Sequence, residues 1–356
     1  MRTSGFYTIM KDKGRFGIPN FSNTCYINTI LQCLGHCGVF LKFILSGKYK
    51  QRLNNEEDTP ILKELRELYI QLWFKNAQPN PVLFLRMLQK EMGDWLNIYE
   101  QNDINEFIMF FIDKINAEIK TNMPIPPALS TDGSINKKKV SFVEKINQSW
   151  YQSNKAEYSE LKDMFYGQSV TQIVCGGCNK IHHNYEIMMN MMLPIVADKD
   201  GAYTLQGCLE HHYADEKLNG NEGHDNSVWK CDHCDKKAES VKTIRAWRNP
   251  KVFVISIKRF NERLQKISTL VDIPLELDMS DYTIQINNGT PTKYELRSVG
   301  YHFGSFGGGH YVSMCKNYDD TWCIKDDDRI IQIKDTKQVL SDIKKGYMFF
   351  YEAIDI

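Results

Sequence analysis

The sequence predicts an α+β fold, with helices first and antiparallel strands after them. Two patterns carry this. In the first third, apolar residues recur at three- and four-residue spacing, the period of a helix with one buried face. From about residue 165, short runs rich in β-branched residues follow one another, separated by turn residues. The 356 residues are 42% hydrophobic, enough to bury a sizeable core in two domains or in one large subdivided one.

The start, MRTSGFYTIMKDKGRF, lacks the apolar run of a signal peptide, and no uninterrupted apolar stretch is long enough to span a bilayer. The expectation is an intracellular protein of cytoplasm or nucleus, with no membrane partner. A first helix follows Cys25, where Ile27, Ile30, Leu31 and Leu34 share one face, with Asn23 or Thr24 as N-cap. A second covers about 61–74 on Leu62, Leu65, Leu68 and Leu72. A third carries Ile104, Phe107, Ile108, Phe111, Ile112 and Ile115 in one stripe. Residues 121–139, with three prolines and a lysine run, read as a mobile loop inserted between subdomains.

Strands follow in QSVTQIV, VKTIRAW and KVFVISIKRF. In the last, Val252 and Val254 face one way while Phe253, Ile255 and Ile257 face the other, as expected of a central strand covered on both faces. YELRSVGYHF, HYVSMCKN, TWCIKDDD and GYMFFYEA continue the run. Lys+Arg and Asp+Glu balance at 44 each, so no net charge steers the chain toward nucleic acid or an anionic surface. Ten cysteines in a reducing compartment need an explanation other than disulfides.

Cys25 sits where the polar turn NFSNT becomes a helix. The positive end of the helix dipole and nearby N–H groups favour the nucleophilic thiolate there. The alternative is a small buried hydrophobe. A nucleophilic thiol needs a base and an orienter for it. His310, in GSFGGGHYVSM, is the candidate base; otherwise it is a loop histidine of no special role. A strand pair 310–316 and 321–326 brings one of Asp326, Asp327 and Asp328 near it, although alone such a triplet reads as a solvated turn.

Cys175-x-x-Cys178 and Cys231-x-x-Cys234 each resemble a zinc knuckle, in which a tight turn aims two thiolates at one metal. Fifty-two residues separate the pairs, an excursion longer than the usual zinc ribbon. One structural zinc held by all four thiolates is the expectation; pairs kept without metal are the alternative. The nearby His182, His183, His211, His212 and His233 read as surface or core residues. No basic stripe adjoins the pairs, so nucleic acid is not an expected partner. In QNDINEF, Asp103 and Glu106 look like a capping box at a helix start, and a functional reading needs a basic ligand.

The order of these boxes resembles the ubiquitin-specific protease family, papain-like cysteine isopeptidases. An Asn–Thr–Cys–Tyr–x–Asn box comes first, then Gln–x–Asp–x–x–Glu–Phe, two CxxC pairs, VFVISIKRF, VDIPLELDMSDY, and Gly–Gly–His–Tyr with Trp–x–x–x–Asp–Asp. The resemblance covers Gly17 to Tyr351. It implies a right hand: an N-terminal extension over 1–16, a thumb over about 17–160, zinc-bearing fingers over about 166–250, a palm over about 251–351 and a tail at 352–356. It implies Cys25 as nucleophile, His310 as general base, Asp326 as its orienter, Asp327 as a second acid and Asn20 as an oxyanion donor. Ubiquitin and ubiquitinated proteins are the implied partners, with Gln101, Asp103, Glu106, Gly308, Gly309 and Tyr311 along the binding path of ubiquitin's C-terminal tail and FGSFGGG as a mobile loop over its Gly-Gly end. The implied activity is thiol-dependent deubiquitination with a structural zinc. A non-catalytic ubiquitin-binding scaffold and a protease for another ubiquitin-like modifier are the alternatives, and the need for an activating protein partner stays open.

Two residues depart from the family pattern. Ser22 stands where glycine is usual, which adds strain if φ is positive there. Lys325 stands before Asp326 where an apolar residue or asparagine is commoner; it either shifts the local electrostatics or points to solvent.

Overall fold

Helices form the first layer in the computed structural model, which describes residues 4–52, 59–124, 137–218, 229–285 and 289–354. They are α1 (Ser4–Met10), α2 (Cys25–Gly35), α3 (Gly38–Ser46), α4 (Pro60–Tyr69), α5 (Val82–Met92), α6 (Ile104–Ile119), α7 (Lys137–Asn154) and α8 (Glu160–Phe165). Every residue of α2 is buried. The helix expected over 61–74 is α4 followed by a π-helical turn, Ile70–Phe74, in which Lys75 N donates to Ile70 O at 2.9 Å. This wider turn accompanies the burial of Trp73, whose ring lies 5.0 Å from His36 and 5.3 Å from Tyr318. Of the predicted loop 121–139, residues 125–136 lie outside the described residues, and its lysine run opens α7 rather than ending a loop.

Two sheets follow. β1 (Gly167–Cys175) and β2 (Ile181–Met188) form a hairpin, while β3 (Asn190–Leu193) leaves it to join the larger sheet. After α9 (Leu205–Tyr213), β4 (Glu216–Leu218) and β5 (Ser240–Arg248) complete a four-stranded antiparallel sheet in the order β2-β1-β5-β4. The larger sheet adds β6 (Val252–Ile257), β7 (Glu276–Asp278), β8 (Lys293–Ser305), β9 (Gly308–Lys316), β10 (Trp322–Asp326), β11 (Arg329–Ile333) and, after α10 (Thr336–Asp342), β12 (Met348–Ala353). Its order is β11-β10-β9-β8-β12-β6-β3, with β7 on β8 and only β3·β6 parallel.

Strand alternation in the larger sheet shares its two faces between two cores. Val252, Val254, Met348 and Phe350 face α2, α4 and α6. Phe253, Ile255, Ile257, Phe349 and Tyr351 face the opposite core with Leu205 and Leu209 of α9. All six residues of β6 are buried, as a centrally covered strand requires. The sheet thus presents β8–β10 to the start of α2. Helix and strand ends meet there, and the catalytic candidates gather.

Candidate active site

Cys25 is the first residue of α2 and is buried. Thr24 holds the N-cap position without capping: its hydroxyl accepts Phe21 N at 3.0 Å and donates to Asn20 Oδ1 at 3.0 Å. Burial is the largest influence on the Cys25 thiol and raises its pKa, the Asp327 charge raises it further, and the Tyr311, Tyr26 and Cys25 backbone N–H groups act against both. The net shift is upward, against the thiolate that the helix terminus favours. Desolvation outweighs the helix terminus.

His310 lies in β9 opposite Phe303. Its Nε2 meets Asp326 Oδ1 at 2.6 Å and stands 3.9 Å from Asp327 Oδ2. Asp326 ends β10, which pairs with β9 from Trp322↔Lys316 to Lys325↔Ser313, close to the predicted strand pair. Asp327 turns back toward the N-terminal segment: Asn28 Nδ2 donates to Oδ1 and Asn20 Nδ2 to Oδ2, both at 2.8 Å. Burial nevertheless raises the Asp327 pKa. Asn20 Oδ1 also accepts Thr24 N at 3.1 Å, so the amide is fixed at both ends with one N–H left for another acceptor. Ser22 has φ +66°, so it carries the strain that glycine would avoid.

Lys325 does not point to solvent. It is buried, and its Nζ donates to Gly14 O at 2.7 Å and Phe16 O at 3.1 Å. The segment FGSFGGG is not a loop either. β8 runs through Ser305 and β9 starts at Gly308, leaving a two-residue turn. A Cβ at Gly309 would lie 2.3 Å from Phe303 O, so no larger residue fits this tight ladder.

Gln101 bridges the cleft: its Nε2 donates to Gly309 O at 2.9 Å and its Oε1 accepts Gly309 N at 2.8 Å. Gly308 stands beside it in β9. Asp103 is the N-cap of α6, accepting Asn105 N at 2.8 Å, but Glu106 shows no reciprocal capping contact and is exposed. Asp103 Oδ2 also accepts the hydroxyls of Tyr347 at 2.8 Å and Tyr311 at 3.2 Å. Asp103 therefore organises the cleft wall, and Glu106 is the acid left open to a cation.

The four cysteines converge far along the other sheet. Cys175 Sγ and Cys234 Sγ are 3.8 Å apart, as are Cys178 Sγ and Cys231 Sγ, and all four sulfurs lie within 4.8 Å of one another. Each knuckle repeats one backbone pattern. Asn179 and Asp235, each following the second cysteine, have φ +56° and +58°, and donate to Cys175 O and Cys231 O. Tetrahedral thiolates at Zn–S ≈ 2.3 Å stand ~3.8 Å apart, so the donor set fits a metal. His182, read from sequence as surface or core, has its Nε2 3.3 Å from Cys231 Sγ.

Sequence reasoning assigned no role to Asn28 or Tyr347. Asn28 was visible as the second asparagine of the Cys25 box, a polar residue three positions on along a buried helix. Tyr347 carried no such signal, because only the fold brings β12 beside the start of α6.

The sequence profile of the ubiquitin carboxyl-terminal hydrolase family matches residues 16–351. Curated relatives include ubiquitin carboxyl-terminal hydrolase Usp2 of Drosophila melanogaster, 27% identical over 96% of this chain and 35% of its own length. Human ubiquitin carboxyl-terminal hydrolase 21 is 26% identical over 98% of this chain and 63% of its own. The chain thus spans about a third to under two thirds of these relatives. Among solved structures, the Ubp8/Sgf11/Sus1/Sgf73 deubiquitinating module of SAGA bound to ubiquitin aldehyde matches with a TM-score of 0.73 at 22% identity, over 97% of this chain and 70% of that one. The same module bound to monoubiquitin gives 0.70. With the fold, the cleft and the profile in agreement over nearly the whole length, the chain belongs to the ubiquitin carboxyl-terminal hydrolase family.

Proposed function

We propose that this chain is a deubiquitinase, a cysteine-type isopeptidase that hydrolyses the bond after ubiquitin's C-terminal glycine. One observation carries the reading: the 2.6 Å bond between His310 Nε2 and Asp326 fixes the ring and leaves Nδ1 as the nitrogen available to the Cys25 thiol. His310 Nδ1 takes the thiol proton as sulfur attacks the glycine carbonyl carbon. The oxyanion accepts the free N–H of Asn20, and Asp327 keeps that amide oriented. His310 then gives its proton to the departing lysine amine. A water, deprotonated by His310, attacks the thioester and releases the ubiquitin carboxylate and the Cys25 thiol.

Glu106 offers a carboxylate to a basic tail, and Gln101, Asp103, Gly308, Gly309 and Tyr311 form the walls between which that tail runs. Burial favours the neutral thiol of Cys25, and among the described residues no hydrogen bond joins it to His310. Docking of ubiquitin, or of an activating protein, is therefore expected to complete the pair. Cys175, Cys178, Cys231 and Cys234 would hold one zinc, which is structural because four thiolates close its coordination. The expected site of the activity is the cytoplasm or nucleus.

The test is turnover of a ubiquitin C-terminal fluorogenic amide by wild type and Cys25→Ala, beside matched substrates built on other ubiquitin-like modifiers. Activity on ubiquitin that the substitution abolishes supports the reading. Binding of ubiquitin without turnover indicates a scaffold, and turnover on another modifier alone reassigns the substrate.

A further inference from the structure

Lys325 presents an unusual arrangement. A buried ammonium costs several kcal/mol unless its donors are satisfied, yet this one lies immediately before the candidate orienting acid and is 2% exposed. Its partners are the carbonyls of Gly14 and Phe16, in a segment with no secondary structure of its own. That segment is tied down along its length. Arg15 pairs with Asp319 and donates to Thr321 Oγ1 at 3.2 Å, both in the turn between β9 and β10. Gln32 of α2 donates to Phe16 O at 3.2 Å. Ahead of it, Phe6 and Tyr7 of α1 meet the Tyr318 ring edge-on at 6.2 and 5.3 Å.

The segment ends on the acid pair. Ile18 N donates to Asp327 O at 2.9 Å. Gly17 lies so close that a Cβ there would sit 2.1 Å from the same oxygen. Asp327 has φ +53°, a left-handed turn conformation that an aspartate adopts more readily than most L-residues. The family profile begins at residue 16, so α1 and residues 11–15 lie outside the shared domain. They nonetheless grip the β9–β10 turn through Arg15 and, through Gly14 O, the Lys325 ammonium one residue before the acids.

We propose that residues 4–18 form a strap, locked by the buried ammonium of Lys325, that holds the Asp326–Asp327 turn in register with His310. Lys325 is thus a positioning residue for catalysis. The inference rests on the deubiquitinase reading for its kinetic consequence, but its structural half stands without turnover.

The experiment compares wild type, Lys325→Met and Arg15→Ala with Val170→Ala, a destabilising control in the four-stranded sheet. Hydrogen exchange at the Ile18 amide and tryptic cleavage after Lys11 or Lys13 report the strap; kcat, KM and the pH profile on the ubiquitin amide report the site. Lys325→Met is expected to speed Ile18 exchange and cleavage at least tenfold. Its kcat should fall 10- to 100-fold with KM within twofold, and the acid limb of kcat/KM should move to lower pH as the imidazole loses the carboxylate that favours its charged form. Val170→Ala should leave that limb in place. If Lys325→Met does not fold, Arg15→Ala carries the test, with an expected threefold rise in exchange and a threefold fall in kcat. A released strap with unchanged kcat and acid limb overturns the proposal, as does a strap that stays protected. An inactive wild type would fail the deubiquitinase reading alone, and accelerated Ile18 exchange would still uphold the lock.

Discussion

The four-cysteine cluster and the catalytic cleft solve opposite problems. Each knuckle is made by six consecutive residues whose own backbone bonds, closed by Asn179 and Asp235, aim two sulfurs. The cluster is geometrically complete. The cleft draws on the start of α2, the third residue of β9 and the end of β10, and it is complete only in part. Asp326 is in place on His310, while burial favours the neutral Cys25 thiol and, among the described residues, no hydrogen bond joins it to the ring. A structural site benefits from closure, whereas a site that must admit a substrate keeps its last contact for the moment of binding.

The largest effects test how far the two regions are independent. Cys231→Ser should abolish zinc retention, measured by metal analysis of the purified chain. Metal binding at such sites is worth on the order of 10–16 kcal/mol, so β1, β2, β4 and β5 should lose hydrogen-exchange protection. The large sheet should keep it; loss throughout would show that the two regions fold as one. In the cleft, Asp326→Asn should lower kcat by roughly 10²–10⁴ without changing zinc content, because it releases the tautomer and orientation of His310. Asn20→Ala should cost about 10²–10³ in kcat through the lost oxyanion donor. An effect of Asn20→Ala on KM alone would place that amide in binding instead.

Legibility in the sequence divided along the same line. The knuckles announced themselves because their geometry is local and their residue types have few other uses. Val252–Ile257 was legible because two-sided burial leaves an unbroken apolar run, and α2 and α6 because one face repeats. The parallel strand β3 was not, since four residues, Asn190–Leu193, carry no period and owe their state to β6 alongside. The cleft was readable only as a set of boxes in order. Which acid meets His310, which one turns toward Asn20 and Asn28, and where Lys325 goes depend on a two-residue turn with φ +53° at Asp327. No spacing in the sequence encodes that turn. The direction of the Cys25 shift was illegible for a related reason: the helix start is local and visible, but the burial that outweighs it depends on the whole fold.

That shift sharpens the comparison further. Burial raises the Cys25 thiol above its ordinary range, which favours the neutral thiol near neutral pH. Alkylation of Cys25 by iodoacetamide should therefore be slow near neutrality and keep climbing into the alkaline range. A plateau between pH 6 and 8 would mean that Cys25 and His310 already form an ion pair at rest, and the contrast between a closed cluster and an open cleft would disappear.

The smallest effect concerns how much strain the open region holds. Ser22 is exposed and has φ +66°, three residues before the nucleophile. A non-glycine residue in this conformation costs roughly 1–2 kcal/mol. Glycine would remove that cost but lose about 0.4–1 kcal/mol through the greater freedom of the unfolded chain. Relief is the larger quantity, so Ser22→Gly should stabilise the protein by roughly 0.5–1 kcal/mol in denaturant unfolding. Asn20 is fixed by Thr24 and Asp327 rather than by Ser22, so kcat should stay within twofold. A loss of stability would mean that the serine makes up its strain elsewhere. Greater stability with reduced kcat would make the strained turn part of the catalytic geometry, and the cleft would then hold strain as well as an open contact.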